Sequence, residues 1–288
     1  MPLFFSSGAF ASHSPAEIAS ECADVLGVGL EFTSSFPFHG DLVAQVRALA
    51  SPARLIHNYF PPPAVPFVLN LAATDPQIRA ASHAMCRAAI ELSAALGAPF
   101  YSVHSGFAMN LTAAQLGQPT QQAALATEHH IDRATANRAF RESVTELSAF
   151  AKGHGVGLLL ENNVLTSAQV TAGRADSLLM TTPSECREFL DTLNDPNVGL
   201  LFDVAHAKVA GTALQFNPAD FFKLGPHLRA LHLSDNDGIA DTNQPMTRNS
   251  WFAPLLRECR ELPMVIEVYR LNSETRREQR NLALSFLE

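Results

Sequence analysis

Eight short apolar runs recur along the chain: LFFSS from residue 3, VGLEFTS from 28, ARLIHNY from 53, PFYSVHS from 99, VGLLLEN from 156, VGLLFDV from 198, RALHLSD from 229 and PMVIEVY from 263. Runs without polar alternation suit strands covered on both faces, and helix-like segments lie between them, which predicts a parallel sheet packed under helices. With eight repeats the economical solution is a closed (β/α)8 barrel, whose active face is built at the C-terminal ends of its strands. An open doubly wound sheet is the alternative. No glycine-rich phosphate fingerprint follows any strand, which weakens it.

The helix-like segments are PAEIASECADVLG, DPQIRAASHAMCRAAIELSAALG, IDRATANRAFRESVTELSAFAKG and TPSECREFLDTL, with apolar residues at three- and four-residue spacing. Ser14-Pro15, Asp75-Pro76 and Thr182-Pro183 read as helix starts, a capping side chain followed by a proline that suits the first turn. Gly27, Gly97 and Gly153 read as left-handed helix ends. Links from helix to strand are short, whereas the segments after strands are long, at residues 105–131, 162–182 and 235–247. The elaborated side is therefore the one expected to carry chemistry.

Composition limits the function. Of 288 residues, 47% are hydrophobic and 17% charged, enough apolar material for a large core and too little charge for disorder. The formal net charge of −8, with no run of basic residues, makes nucleic acid an unlikely partner. Cys22, Cys86, Cys186 and Cys259 form no CxxC pair, so neither a zinc ribbon nor a disulfide framework is expected. No run approaches a membrane span and the N-terminus lacks a basic leader, which predicts a soluble cytoplasmic protein with reduced thiols.

The strands finish on chemistry. His57 ends the third, His104 the fourth, Glu161 the fifth, Asp203 with His206 the sixth, His232 with Asp235 the seventh and Glu267 the eighth. Parallel strands bring these ends to one rim. Carboxylates crowded together repel and take up protons unless a cation compensates them, so Glu161, Asp203, His232 and Glu267 point to a divalent metal site. Mixed nitrogen and oxygen ligation suits zinc, manganese, cobalt or iron, and disfavours an all-thiolate preference or calcium. Lys208 reads as a loop residue just past the sixth strand, solvated or anchoring substrate. Phe107 and Trp251 follow strands, where either can wall a pocket or pack. The remaining histidines read as surface or packing residues.

Taken in order, HNYFPPPAVPFVLNLAATD, SVHSG, LLLENN, LFDVAHAKVAG, ALHLSDNDG and VIEVY resemble the strand-end motifs of the xylose-isomerase-like TIM-barrel superfamily, which includes sugar isomerases and epimerases and the endonuclease IV group. The resemblance implies one domain over residues 1–288. It also implies that Glu161, Asp203, His232 and Glu267 bind the metal, with Glu161 and Glu267 exchanging protons with substrate carbons on either side of an enediolate. His206 matches a substrate-binding residue of the epimerases and a zinc ligand of the nucleases. His57, His104 and Asp241 match further zinc ligands of the nucleases. Asn243 stands where the nuclease pattern has a second histidine, which departs from a complete trinuclear site.

Two mechanisms follow. In the first, the chain is a metal-dependent isomerase or epimerase of a sugar or sugar phosphate, with Glu161 and Glu267 as acid and base, and with His206, and Lys208 or an arginine, holding substrate. In the second, a hydrolase or phosphodiesterase activates water between ions held by His57, His104 and the quartet. A barrel that only senses a metabolite would leave the ligands idle. The partner expected is a small carbohydrate-like molecule, and pairing of barrel helices would give a homo-oligomer.

Overall fold

The computed structural model describes residues 3–115, 121, 124 and 129–288. Eight parallel strands close a barrel in sequence order: β1 (Leu3–Ser6), β2 (Gly29–Phe32), β3 (Arg54–His57), β4 (Phe100–His104), β5 (Gly157–Glu161), β6 (Val198–Asp203), β7 (Leu228–Leu233) and β8 (Met264–Ile266). Each coincides with one of the apolar runs, and β1 pairs with β8 to complete the ring. The outer layer includes the helices Pro76–Ala95, Arg133–Gly153, Pro183–Leu193, Val204–Leu214 and Ser273–Ser285. No helix among the described residues is long and apolar enough to cross a membrane.

The expected helix starts cap as read. Ser14, Asp75 and Thr182 accept from the backbone N–H groups of Glu17, Gln77 and Glu185, each ahead of a first-turn proline. Gly27 and Gly97 adopt the left-handed conformation (φ 62° and 67°). Gly153 does not: the helix runs through it, His154 caps it, and Gly155 takes the left-handed turn (φ 70°). Two glycines within three residues offer the chain two places to turn, and only the second is used.

Lys208, expected in a loop, lies in the helix Val204–Leu214, as does His206. That helix starts immediately after β6 because Asp203 caps it, accepting from His206 N at 2.7 Å. Its sequence, VAHAKVAGTAL, is largely apolar around the helix and so lacks the stripe by which a surface helix is recognised.

The barrel interior is layered by the two-residue period of the strands. Phe4, Leu55, Phe100, Leu159, Leu201, Ala230 and Val265 form an apolar cluster with Ala98. Two residues further along the same strands stand Ser6, His57, Ser102, Glu161, Asp203, His232 and Glu267. The apolar layer is thus the floor on which the polar rim sits. On β2 the floor position is Gly29, whose missing side chain is replaced by the Phe4 ring: a Cβ there would lie 2.1 Å from Phe4 Cδ1 and 3.0 Å from the Ala53 carbonyl oxygen. Gly29→Ala is expected to destabilise the fold by about 1–3 kcal/mol through this overpacking, measured by chemical denaturation.

The four cysteines are free and buried. Burial pushes the Cys22 and Cys86 thiols up to about 12, which makes them packing groups rather than nucleophiles.

Candidate active site

The polar rim is a compact set of acids and imidazoles. One ligand atom each from Glu161, Asp203, His232 and Glu267 lie within 4.8 Å of one another, and all four residues are buried. His232 Nδ1 stands at its centre, 2.9 Å from Glu267 Oε2, 3.3 Å from Glu161 Oε1 and 3.9 Å from Asp203 Oδ2. Glu161 Oε2, Asp203 Oδ2 and His232 Nδ1 are buried without a hydrogen-bond partner. Buried polar atoms are normally satisfied, so Asp203 Oδ2 and His232 Nδ1, which face each other at 3.9 Å, mark a place built for something that ligates them, and Glu161 Oε2 marks the adjoining side toward His57 and His104. Two carboxylates, an imidazole nitrogen and a third carboxylate suit a divalent cation.

Backbone chemistry fixes each of these side chains. Asp203 divides its carboxylate: Oδ1 caps the following helix, where the helix dipole favours negative charge, and Oδ2 is left for the cluster. Asn162 locks β5 to β6 by accepting from Asp203 N at 2.8 Å and donating to the Asp203 carbonyl at 3.1 Å. Asn243, left-handed at φ 43°, donates to the Glu267 carbonyl at 3.1 Å, so it ties down the backbone of a site acid. The Tyr269 hydroxyl donates to Glu267 Oε1 at 3.4 Å.

A second group adjoins the first and shares Glu161. His57 Nε2 and His104 Nε2 lie 3.3 and 3.0 Å from Glu161 Oε2. His57 Nδ1 is held by Ser102 Oγ at 3.0 Å. His206 Nδ1 donates to the Asn162 carbonyl at 2.8 Å, which turns Nε2 to Asp241 Oδ2 at 3.2 Å. The structure therefore brings Glu161, Asp203, His232, Glu267, His57, His104, His206 and Asp241 together. Lys208 stands apart, its ammonium 2.7 Å from Asp235 Oδ1 and bonded to the Asn236 carbonyl. Asp235 is further held by Ser250 Oγ at 2.7 Å. Phe107 lines a cavity over the site, whereas Trp251 packs on Phe222 and Phe252.

Glu31 was not among the residues read from the sequence. It is fully buried on β2, and its carboxylate faces His232 Nε2, at 3.3 Å through Oε1 and 3.1 Å through Oε2. It sits inside its strand, not at the end, on the same face as Gly29. An acid at an inward position of VGLEFTS was the available signal.

Without a cation the charges compensate one another. Burial opposes ionisation of Asp203 and, with the nearby carboxylates, pushes it up to about 7 despite His206. Burial also works against the charged forms of His206 and His232. Asp203 and Asp241 outweigh it at His206, as Glu31 and Glu267 do at His232, and hold both imidazoles well above their ordinary value. His57 is held well below it by burial, which Glu161 only partly offsets. Glu161 is held well below the usual carboxylate range because His104 and His57 outweigh its burial.

Two chambers open above the cluster. One, of about 450 Å³, is bordered by Thr33, Ser34, Ser35, His57, Glu267 and Arg270. The other, of about 420 Å³, adjoins it through Ser34, Asn58 and His104 and is bordered on the cluster side by His206 and Asp241.

Residues 18–284 match a family described as xylose isomerase-like TIM barrel. No curated protein matches the chain. Among solved structures, a D-tagatose 3-epimerase-like protein is similar at 18% identity and a TM-score of 0.70, over 100% of this chain and 98% of that one. The TTHB071 protein from Thermus thermophilus, solved after soaking with ZnCl2, is similar at 23% identity and 0.67, over 99% of each chain. D-psicose 3-epimerase from Clostridium cellulolyticum H10, solved with D-tagatose, is similar at 16% identity and 0.69, over 100% of this chain and 98% of that one.

Proposed function

The chain belongs to the xylose isomerase-like TIM barrel family, and on that premise we propose that it is a divalent-metal-dependent isomerase or epimerase of a carbohydrate-like hydroxy-ketone. The observation that carries this reading is the convergence of Glu161, Asp203, His232 and Glu267, with Asp203 Oδ2 and His232 Nδ1 buried and unpartnered between them. These residues would hold the cation. When bound, it would polarise the substrate carbonyl and stabilise the negative charge of an enediolate.

The remaining work falls to the protein. Glu267 borders the hydroxyl-lined chamber and is the base placed to take a proton from a substrate carbon. The Tyr269 hydroxyl orients its carboxylate. Glu161 is assigned to the opposite side of the substrate. His57, His104, His206 and His232 enclose it, so its share in proton transfer is separable by experiment: inversion needs a second proton-transfer group, and exchange without inversion assigns the chemistry to Glu267 alone. His206 borders the second chamber with its Nε2 held by Asp241 and is the residue proposed to orient a substrate hydroxyl. Lys208, engaged by Asp235 and the Asn236 carbonyl, holds the start of the 235–247 segment.

The test is conversion of ketoses to their epimers, followed by chromatography, with metal analysis of the purified protein. Epimer formation that chelation abolishes and manganese or cobalt restores supports the reading. Stable conversion after complete metal removal contradicts it.

Glu31 supplies a prediction within this reading. A carboxylate accepting the Nε2–H of His232 fixes the tautomer that leaves the Nδ1 lone pair facing the cluster. Glu31→Ala is expected to weaken metal affinity by about 10–100-fold in a chelator-competition titration.

One observation favours a second reading. Glu161 turns its two oxygens to two different groups, Oε1 toward His232 and Oε2 toward His57 and His104, as a ligand shared by two cations would. Two cations a short distance apart suit hydrolysis of a phosphodiester. Two metal ions per chain together with phosphodiester cleavage would establish that reading, and one ion with epimer formation would exclude it.

A further inference from the structure

The two chambers over the rim differ in chemistry. The one bordered by Glu267 and Arg270 carries the hydroxyls of Thr33, Ser34 and Ser35, with Ser7 Oγ linking Thr33 at 3.2 Å and Ser35 at 2.8 Å behind it. The other is walled by Tyr59, Phe67, Leu69, Phe107, Leu111 and Leu178. Phe107, Leu111 and Leu178 belong to a hydrophobic cluster of their own, with Val68, Met109 and Leu165, separate from the apolar floor of the barrel. The wall is also constructed with care for position. Phe107 and Leu178 pair as an antiparallel bridge between the loops that follow β4 and β5. Asn70 clamps Phe107 at both its carbonyl (2.9 Å) and its N–H (3.1 Å), and Arg133 Nη1 donates to the Leu178 carbonyl at 2.9 Å.

Asn58, Asn163 and Gln169 also border the chamber, but its apolar wall is unsuited to a bare polyol, whose hydroxyls would lose water against it without gaining partners. It is less suited to a phosphate. No lysine or arginine lines this chamber among the described residues, and residues 116–128, LGQPTQQAALATE, contain none in sequence.

We propose that the substrate is two-sided: a hydroxylated carbonyl half that lies over Glu267, and an uncharged apolar substituent, aryl or alkyl, that fills the chamber between Phe67, Phe107 and Leu178. The inference rests on the epimerase reading for the first half only. His104 and His206 border the apolar chamber from the cluster side, so one molecule can reach both.

The test compares D-fructose, its 6-phosphate and its 6-O-benzyl ether by calorimetric titration of the manganese-loaded protein. The benzyl ether is expected to bind about 10- to 100-fold more tightly than the free ketose, the gain available from burying a phenyl group, and more tightly than the phosphate. Phe67→Ser is expected to reduce the benzyl advantage to about 3-fold or less while manganese affinity and free-ketose binding stay unchanged, and Phe67→Leu to keep most of it. Equal affinity for ether and ketose, or preference for the phosphate over the ether, overturns the proposal. Solvent-deuterium exchange on the same three compounds separates it from the reading beneath it. Selective binding of the ether without exchange defeats the epimerase reading alone, and exchange on the ketose without an ether advantage defeats the substituent alone.

Discussion

Glu267→Gln is expected to lower turnover by about 10²–10⁴-fold, the range that loss of a positioned general base produces. Glutamine keeps the size and the acceptor oxygen, so the Tyr269 hydroxyl still has a partner and the backbone remains held by Asn243. What it loses is basicity and one negative charge beside His232, 2.9 Å away. Steady-state kinetics read the first loss, and metal titration reads the second. A variant that keeps metal and substrate binding but not turnover places the chemistry on Glu267. A variant with wild-type turnover removes Glu267 from the mechanism.

Asp203→Asn is expected to weaken metal affinity by at least the 10–100-fold that loss of an outer-sphere partner alone costs, since a ligand and a charge are removed together. The fold should survive it. Asparagine caps helices as well as aspartate, so Oδ1 can still accept from His206 N. Asp203→Ala removes both jobs and is expected to cost about 1 kcal/mol more than the asparagine variant. The pH dependence of the metal-free protein follows from the same residue. In the fold Asp203 is pushed up to about 7, above its ordinary 3.8. Between those values the folded chain keeps a proton that the unfolded chain releases, so this residue's contribution to stability falls as pH rises through that window. Denaturation of the chelated protein at pH 5 and pH 7.5 is expected to show that loss in the wild type and a smaller one in Asp203→Asn.

The barrel was legible in the chain because buried parallel strands are continuous apolar runs and eight of them fall between helices. The rim was legible for a related reason. Its residues occupy the last inward position of each run, so Glu161, Asp203, His232 and Glu267 stand out as the places where an apolar strand turns polar. Glu31 obeys the same rule, two residues beyond Gly29 and level with Ser6, and like His232 it lies one residue short of its strand's end. It escaped because the floor position before it is a glycine, so the run VGLEFTS carries no large side chain to show which face is inward. Lys208 was misplaced because its helix is buried nearly all round and carries no amphipathic stripe. The two-chamber division was not legible, since Phe67, Phe107 and Leu178 come from separate loops joined by a bridge and two side-chain clamps. Asn243 illustrates the reverse: its departure from the nuclease pattern was visible in sequence, but its role in tying down Glu267 required geometry.

The central claim, that the rim moves a carbon-bound proton with a divalent cation, is tested most directly by NMR in D₂O. The metal-loaded protein is expected to place deuterium on the carbon next to the carbonyl of a ketose it binds, at a rate that chelation abolishes and Glu267→Gln reduces by about 10²–10⁴-fold. Turnover of a substrate with no deuterium entering at carbon would contradict the account.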